Sequence, residues 1–129
     1  MPKHVPALPG IPPSRYPFSE VVEANGFVFL AGQVGNAPHG GHGHGAVPGG
    51  IEAETRAMLD NVGRLLEAVD LGYADVVKCT VYLRDFADFA GMNTVYREYF
   101  PTEPPTRATV GVTALAEDYR VEIEVLAAR

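Results

Sequence analysis

The chain has 129 residues, 47% of them hydrophobic and 20% charged. That balance fits one globular domain and argues against a disordered or fibrous chain. The net charge of −6 argues against non-specific nucleic-acid binding, which depends on Lys and Arg neutralising phosphates.

Residues 1–15 read as an irregular arm, because Pro2, Pro6, Pro9, Pro12 and Pro13 block regular pairing. The first residues lack the apolar core of a signal peptide, and no run approaches the roughly 18 apolar residues of a membrane span. Cys79 is the one cysteine, so no intrachain disulfide can form. These features predict a cytoplasmic protein.

Phe18 to Glu23 is predicted as a short strand. Asn25-Gly26 is a hairpin signal, since both residues accept positive φ. Phe27 to Ala31 is the second strand, ending at Gly32. It is apolar on both faces, which predicts that its second face meets another subunit. Residues 35–50 are dominated by glycine and form a surface loop carrying His39, His42 and His44.

Ile51 to Leu71 is predicted as an amphipathic helix. Met58, Val62, Leu65, Leu66 and Val69 recur at helical steps, and Gly72 is its stop. Asp75 to Arg84 is a strand with Val77, Cys79, Val81 and Leu83 on one face. A second helix runs from about Phe86 to Phe100, with Phe86, Phe89, Asn93, Tyr96 and Phe100 as its stripe. Two closing strands follow, joined by a short turn at Ala116-Glu117-Asp118-Tyr119. The predicted fold class is α+β, a single domain over 1–129 with order β-β-α-β-α-β-β. Two helices pack on one face of a mixed sheet. The fourth strand is predicted to turn Ala108, Val110, Val112 and Ala114 to the helices, and Arg107 and Thr109 away.

Several residues carry candidate chemistry. Arg107 starts a strand of small residues, so its guanidinium is either a surface charge or an anion site. Glu122 and Glu124 share a face of the last strand. They are either the solvated side of an edge strand or hold a general base. Asn93 interrupts an apolar helix stripe, where a buried amide needs a partner. His39, His42 and His44 are weak metal candidates, because zinc sites usually draw on rigid elements. The glycine-rich loop lacks a P-loop ending, and neither Ser14 nor Ser19 has nucleophile-elbow context.

The run Pro105-Thr106-Arg107-Ala108-Thr109-Val110, then Val121-Glu122-Ile123-Glu124, resembles the C-terminal signature of the RidA/YjgF family. Ala31-Gly32-Gln33-Val34, Leu59-Asp60-Asn61-Val62, Val77 to Leu83, and Asn93, Tyr96 and Phe100 resemble its other segments. The resemblance covers residues 16–127, with a longer loop at 36–50. It implies a YjgF-like, chorismate-mutase-like fold in a homotrimer with sites in the clefts between subunits. It implies hydrolysis of reactive enamines and imines, such as 2-aminoacrylate, to 2-keto acids and ammonia, without a cofactor. By the resemblance, Arg107 binds the substrate carboxylate and Glu122 handles the attacking water. Phe18, Ala31, Gly32, Asn93 and Thr109 would shape the substrate site. The family often has Tyr, Ser and Cys where this chain has Phe18, Ala31 and Thr109. A more apolar pocket is therefore expected. The alternatives are a non-catalytic trimer binding small carboxylates, a chaperone-like trimer and, against the acidity, an endoribonuclease or translation inhibitor. The resemblance implies neither a nucleic-acid nor a membrane partner.

Overall fold

The computed structural model describes residues 2–37 and 45–129, so the predicted histidine cluster lies outside the described residues. The elements are β1 (Val21–Ala24), β2 (Phe27–Val34), α1 (Gly50–Ala68), β3 (Val76–Leu83), α2 (Phe89–Tyr99), β4 (Thr106–Gly111) and β5 (Val121–Ala128). Short 3-10 turns at Tyr73–Asp75 and Phe86–Asp88 precede β3 and α2. The predicted β-β-α-β-α-β-β order holds. The sheet runs β1-β2-β5-β3-β4, with β3 and β4 parallel and the other pairs antiparallel.

Asn25 (φ 53°) and Gly26 (φ 81°) make the β1–β2 hairpin by entering the left-handed region together. Helix α1 buries Met58, Leu59, Val62, Leu65 and Leu66 against the sheet. It ends at Ala68, before the predicted Gly72. Asp70 takes the left-handed position (φ 62°), its N–H bonds Glu67 O, and the Leu71 N–H bonds Leu66 O. That is a Schellman closure built on aspartate instead of glycine.

The helices cover one face of the sheet. On β5, Val121, Ile123, Val125 and Ala127 face them and are buried, while Glu122 and Glu124 turn away. The structure departs from the sequence reading at five points. The closing strands are not sheet neighbours: β3 lies between them, so β5 is central and β4 is an edge. The faces of β4 are inverted, because its parallel register sets Arg107 beside buried Cys79 and Thr109 beside buried Val81. Ala108 and Val110 are exposed instead. A register irregularity between Val76 and Lys78 displaces Val77 from the buried face. Strand β2 also runs through Gly32 to Val34, with a bulge between Leu30 and Gln33. Phe86 sits in the 3-10 turn, outside α2.

The open face carries exposed apolar side chains of β2 and β4 beside Glu122 and Glu124 of β5. Phe27, Phe29 and Val110 expose 45%, 47% and 40% of their surface.

Glu54 is a carboxylate in the core, 2% exposed. It accepts the backbone N–H groups of Arg120 (2.7 Å) and Val121 (3.3 Å) at the entry to β5. Gly35, just past β2, lies so close to Glu54 that any Cβ would collide with it. One side chain of α1 therefore fixes the start of β5 beside the end of β2. Burial raises the Glu54 carboxyl above its ordinary value of 4.5, the two backbone N–H groups and Arg120 pull it back, and Asp118 adds to the rise. A raised folded-state value disfavours the charged form in the fold, so stability falls as pH rises from the ordinary value through the folded one. Wild type is accordingly expected to lose stability relative to Glu54→Gln as pH rises above the ordinary carboxyl value of 4.5. Urea midpoints of both proteins from that value upward check it. A difference that stays constant with pH contradicts the assignment.

Candidate active site

Arg107 projects from β4 toward α2. Its Nη1 donates to Asn93 Oδ1 at 2.7 Å. The guanidinium carbon lies 4.6 Å from the Tyr96 ring centre and 5.6 Å from that of Phe89. Phe89, Asn93 and Tyr96 follow each other at helical steps of four and three, so one face of α2 surrounds the cation. Aromatic faces and an amide oxygen orient a guanidinium without neutralising it. The remaining donors keep their charge for an anion.

Thr109 lies two residues along the same face of β4. Its hydroxyl is buried and lacks a hydrogen-bond partner, which is costly unless something else fills that role. Beneath Arg107, burial pushes the Cys79 thiol up to about 11, despite the opposing effects of Tyr96 and Arg107. A protonated, enclosed thiol is no nucleophile at neutral pH. The Tyr96 hydroxyl lies against that thiol. It makes no hydrogen bond of normal geometry, and a thiol is a weak acceptor.

Glu122 stands on the other face. Across the ladder it opposes Tyr82 of β3, whose hydroxyl donates to Glu124 Oε1 at 3.2 Å. Burial, then Glu124 and Glu122, raises the Tyr82 hydroxyl above its ordinary value. The Glu122 carboxylate reaches over Gly32 of β2, where a Cβ would strike its Oε2. Ala31, next to that glycine, donates its N–H to Glu20 O at 2.8 Å. Gln33 donates to Ala31 O at 3.0 Å. Phe18 lines an apolar cleft of about 340 Å³ under the N-terminal arm, with Leu8, Ile11 and Val21.

The predicted residues thus fall into two groups. Arg107, Asn93 and Thr109 come together under α2. Gly32 and Glu122 come together on the open face, with Ala31 adjoining. Within one chain the sheet separates them. Sequence reasoning missed Tyr96 and Phe89 as the flanks of the guanidinium, although their helical spacing around Asn93 carried the signal. It also missed Glu54, a carboxylate one turn before Met58 on the buried stripe. Among the described residues no group of three His, Cys, Asp or Glu side chains could hold a metal ion. Among them, too, no helix is long and apolar enough to cross a membrane.

A mixed five-stranded sheet with two helices on one face, and an arginine clasped by an amide and two rings, define a small α+β ligand-binding domain. The family model described as Endoribonuclease L-PSP matches residues 11–129. The chain is 40% identical to the 2-iminobutanoate/2-iminopropanoate deaminase of Capra hircus, over 86% of this chain and 79% of that one. It is 38% identical to the chloroplastic Reactive Intermediate Deaminase A of Arabidopsis thaliana, over 97% of this chain and 65% of the other. The structure of E. coli TdcF with bound serine superposes with a TM-score of 0.82 at 33% identity, covering 92% of each chain. The chain belongs to the RidA/YjgF family, the Endoribonuclease L-PSP family of that model.

Proposed function

We infer that this protein hydrolyses small 2-imino acids and their enamine tautomers to 2-keto acids and ammonia. The observation that carries this is the Arg107 guanidinium, held by Asn93, Tyr96 and Phe89 with donors to spare. A fixed fork of donors fits a carboxylate. It sits in a chain 40% identical to a deaminase of 2-imino acids.

We assign the substrate carboxylate to Arg107 and the attacking water to Glu122. Glu122 takes a proton as the water oxygen bonds the imine carbon and the C=N electron pair moves to nitrogen. Glu122 returns that proton to nitrogen to give the carbinolamine. Transfer of the carbinolamine hydroxyl proton to nitrogen, again through Glu122, then breaks the C–N bond, expels ammonia and leaves the keto acid. The imine carbon is already electrophilic, so the site need supply only orientation and proton transfer, and no cofactor enters. 2-Aminoacrylate, through its imine tautomer, is the smallest substrate of this class. Phe18, Ala31, Gly32 and Thr109 complete the walls.

Arg107 and Glu122 lie on opposite faces of one sheet, so a working site needs Arg107 of one copy beside Glu122 of another. The exposed Phe27, Phe29 and Val110 on the open face support such an assembly. We propose a homotrimer with a site in each cleft between copies. A cytoplasmic location fits the single buried thiol.

Imines generated in place by an amino-acid oxidase test this reading. Added protein is expected to speed the release of ammonia and keto acid. The spontaneous rate, unchanged across several imines, contradicts it. One substitution probes the cradle of Glu122. Gly32→Ala is expected to lower kcat about tenfold, because the new methyl displaces the carboxylate from its water. The clash involves the far end of a flexible side chain, so the melting temperature should barely move. Unchanged kcat with an intact fold would separate Glu122 from Gly32 in function.

A further inference from the structure

We propose that Phe86 and Phe89 form an aromatic shelf that selects 2-imino acids with branched or aromatic side chains over the alanine-sized one. This inference rests on the imine-deaminase reading of the Arg107 site.

Phe86 exposes 52% of its surface, high for a phenylalanine on a constrained turn. The turn is rigid: Asp85 Oδ1 accepts the Ala87 N–H at 2.9 Å, and Asp85 O accepts that of Asp88 at 3.0 Å. The Phe86 ring stacks on Phe89, with centres 5.2 Å apart and planes 16° from parallel. Phe89 in turn flanks Arg107. The two rings therefore extend the wall of the cation site outward as one apolar surface.

Strand β4 supplies the floor. Arg107, Thr109 and Gly111 are alternate residues and share a face, spanning about 13 Å. A Cβ on Gly111 would sit 3.7 Å from Phe86 Cδ1, so Phe86 overhangs a position with no side chain of its own. Between Arg107 and Gly111 lies the unpartnered Thr109 hydroxyl. A fixed cation and an apolar track leading away from it match an amphipathic ligand. The carboxylate belongs at Arg107 and the side chain along Phe89 toward Phe86. A methyl group is too short to reach Phe86, whereas an isobutyl or benzyl group can.

The test compares kcat/KM for imines made from leucine and from alanine, in wild type and Phe86→Ala. Loss of one apolar wall is expected to lower the leucine-to-alanine ratio about tenfold, and Phe86→Tyr should restore it. Wild-type turnover with an unchanged ratio in Phe86→Ala overturns the shelf and leaves the deaminase reading standing. An unchanged ratio accompanied by a smaller assembly in sedimentation also overturns it, assigning Phe86 to an interface between copies. If wild type accelerates neither imine, the deaminase reading falls, and calorimetry decides the shelf. Wild type then has to bind 4-methyl-2-oxopentanoate about tenfold more tightly than pyruvate, with the preference lost in Phe86→Ala. Equal affinities overturn the proposal.

Discussion

Arg107→Ala is expected to lower kcat/KM for imine hydrolysis about a thousandfold, because on this reading a desolvated carboxylate loses its bidentate partner. Most of the loss should fall on KM at first, since the carboxylate anchors the substrate before any bond changes. Part should reach kcat, because an unanchored imine no longer meets its water in a fixed geometry. Arg107→Lys keeps the charge but loses the planar fork and the fit between Tyr96 and Asn93, so it should recover only a small part. Steady-state kinetics with oxidase-generated imines provide the readout. Thermal melts show whether the fold survives. A folded Arg107→Ala protein with wild-type kcat/KM would remove Arg107 from the reaction.

Glu122→Gln is expected to lower kcat by two to four orders of magnitude, roughly the contribution of a positioned general base. Its amide can still hydrogen-bond a water but cannot take its proton. Keto-acid affinity, which depends on Arg107, should change little. This separates turnover from binding, and so separates a deaminase from a protein that only holds small carboxylates. Calorimetry with a 2-keto acid beside the ammonia assay gives both numbers on one sample. Wild-type turnover in Glu122→Gln would assign the water to another group. Loss of both activities would instead point to a role for Glu122 in shaping the assembly.

Much of the fold was legible because its signals are local. The Asn25-Gly26 turn, the apolar stripe of α1 and the alternation of β5 follow from backbone preference and period, and the structure contains all three. Strand order is not local. The segment between β4 and β5 looks like a hairpin connection, yet β3 occupies the gap between those strands. The order β3-α2-β4 held the clue, since a helix between two strands favours a parallel pair and uses both places nearest the crossover. Once β4 is an edge parallel to β3, register alone turns Arg107 to the helix side. The small residues Ala108 and Val110 suggested the opposite, because apolar character was read as burial, and on an exposed sheet face that inference fails.

The candidate residues were readable as types, and their grouping was not. Arg107, Asn93 and Glu122 stand out as polar groups in apolar surroundings. That Arg107 and Asn93 meet while Glu122 lies across the sheet depends on pairing between distant strands. Glu54 shows the same limit: its place on the α1 stripe was visible, but its two backbone partners at the entry to β5 are 66 and 67 residues away.

An imine deaminase whose arginine and glutamate come from different copies can be rebuilt from two inactive parents. The most direct measurement mixes Arg107→Ala and Glu122→Gln chains, unfolds and refolds them together, and assays imine hydrolysis. A shared cleft is intact wherever an Arg107-bearing chain meets a Glu122-bearing one. At equal mixing that is one half times one half, so about a quarter of wild-type turnover should return from two inactive parents. Mixed assemblies that form and stay inactive, beside an active wild type, would contradict a site shared between copies.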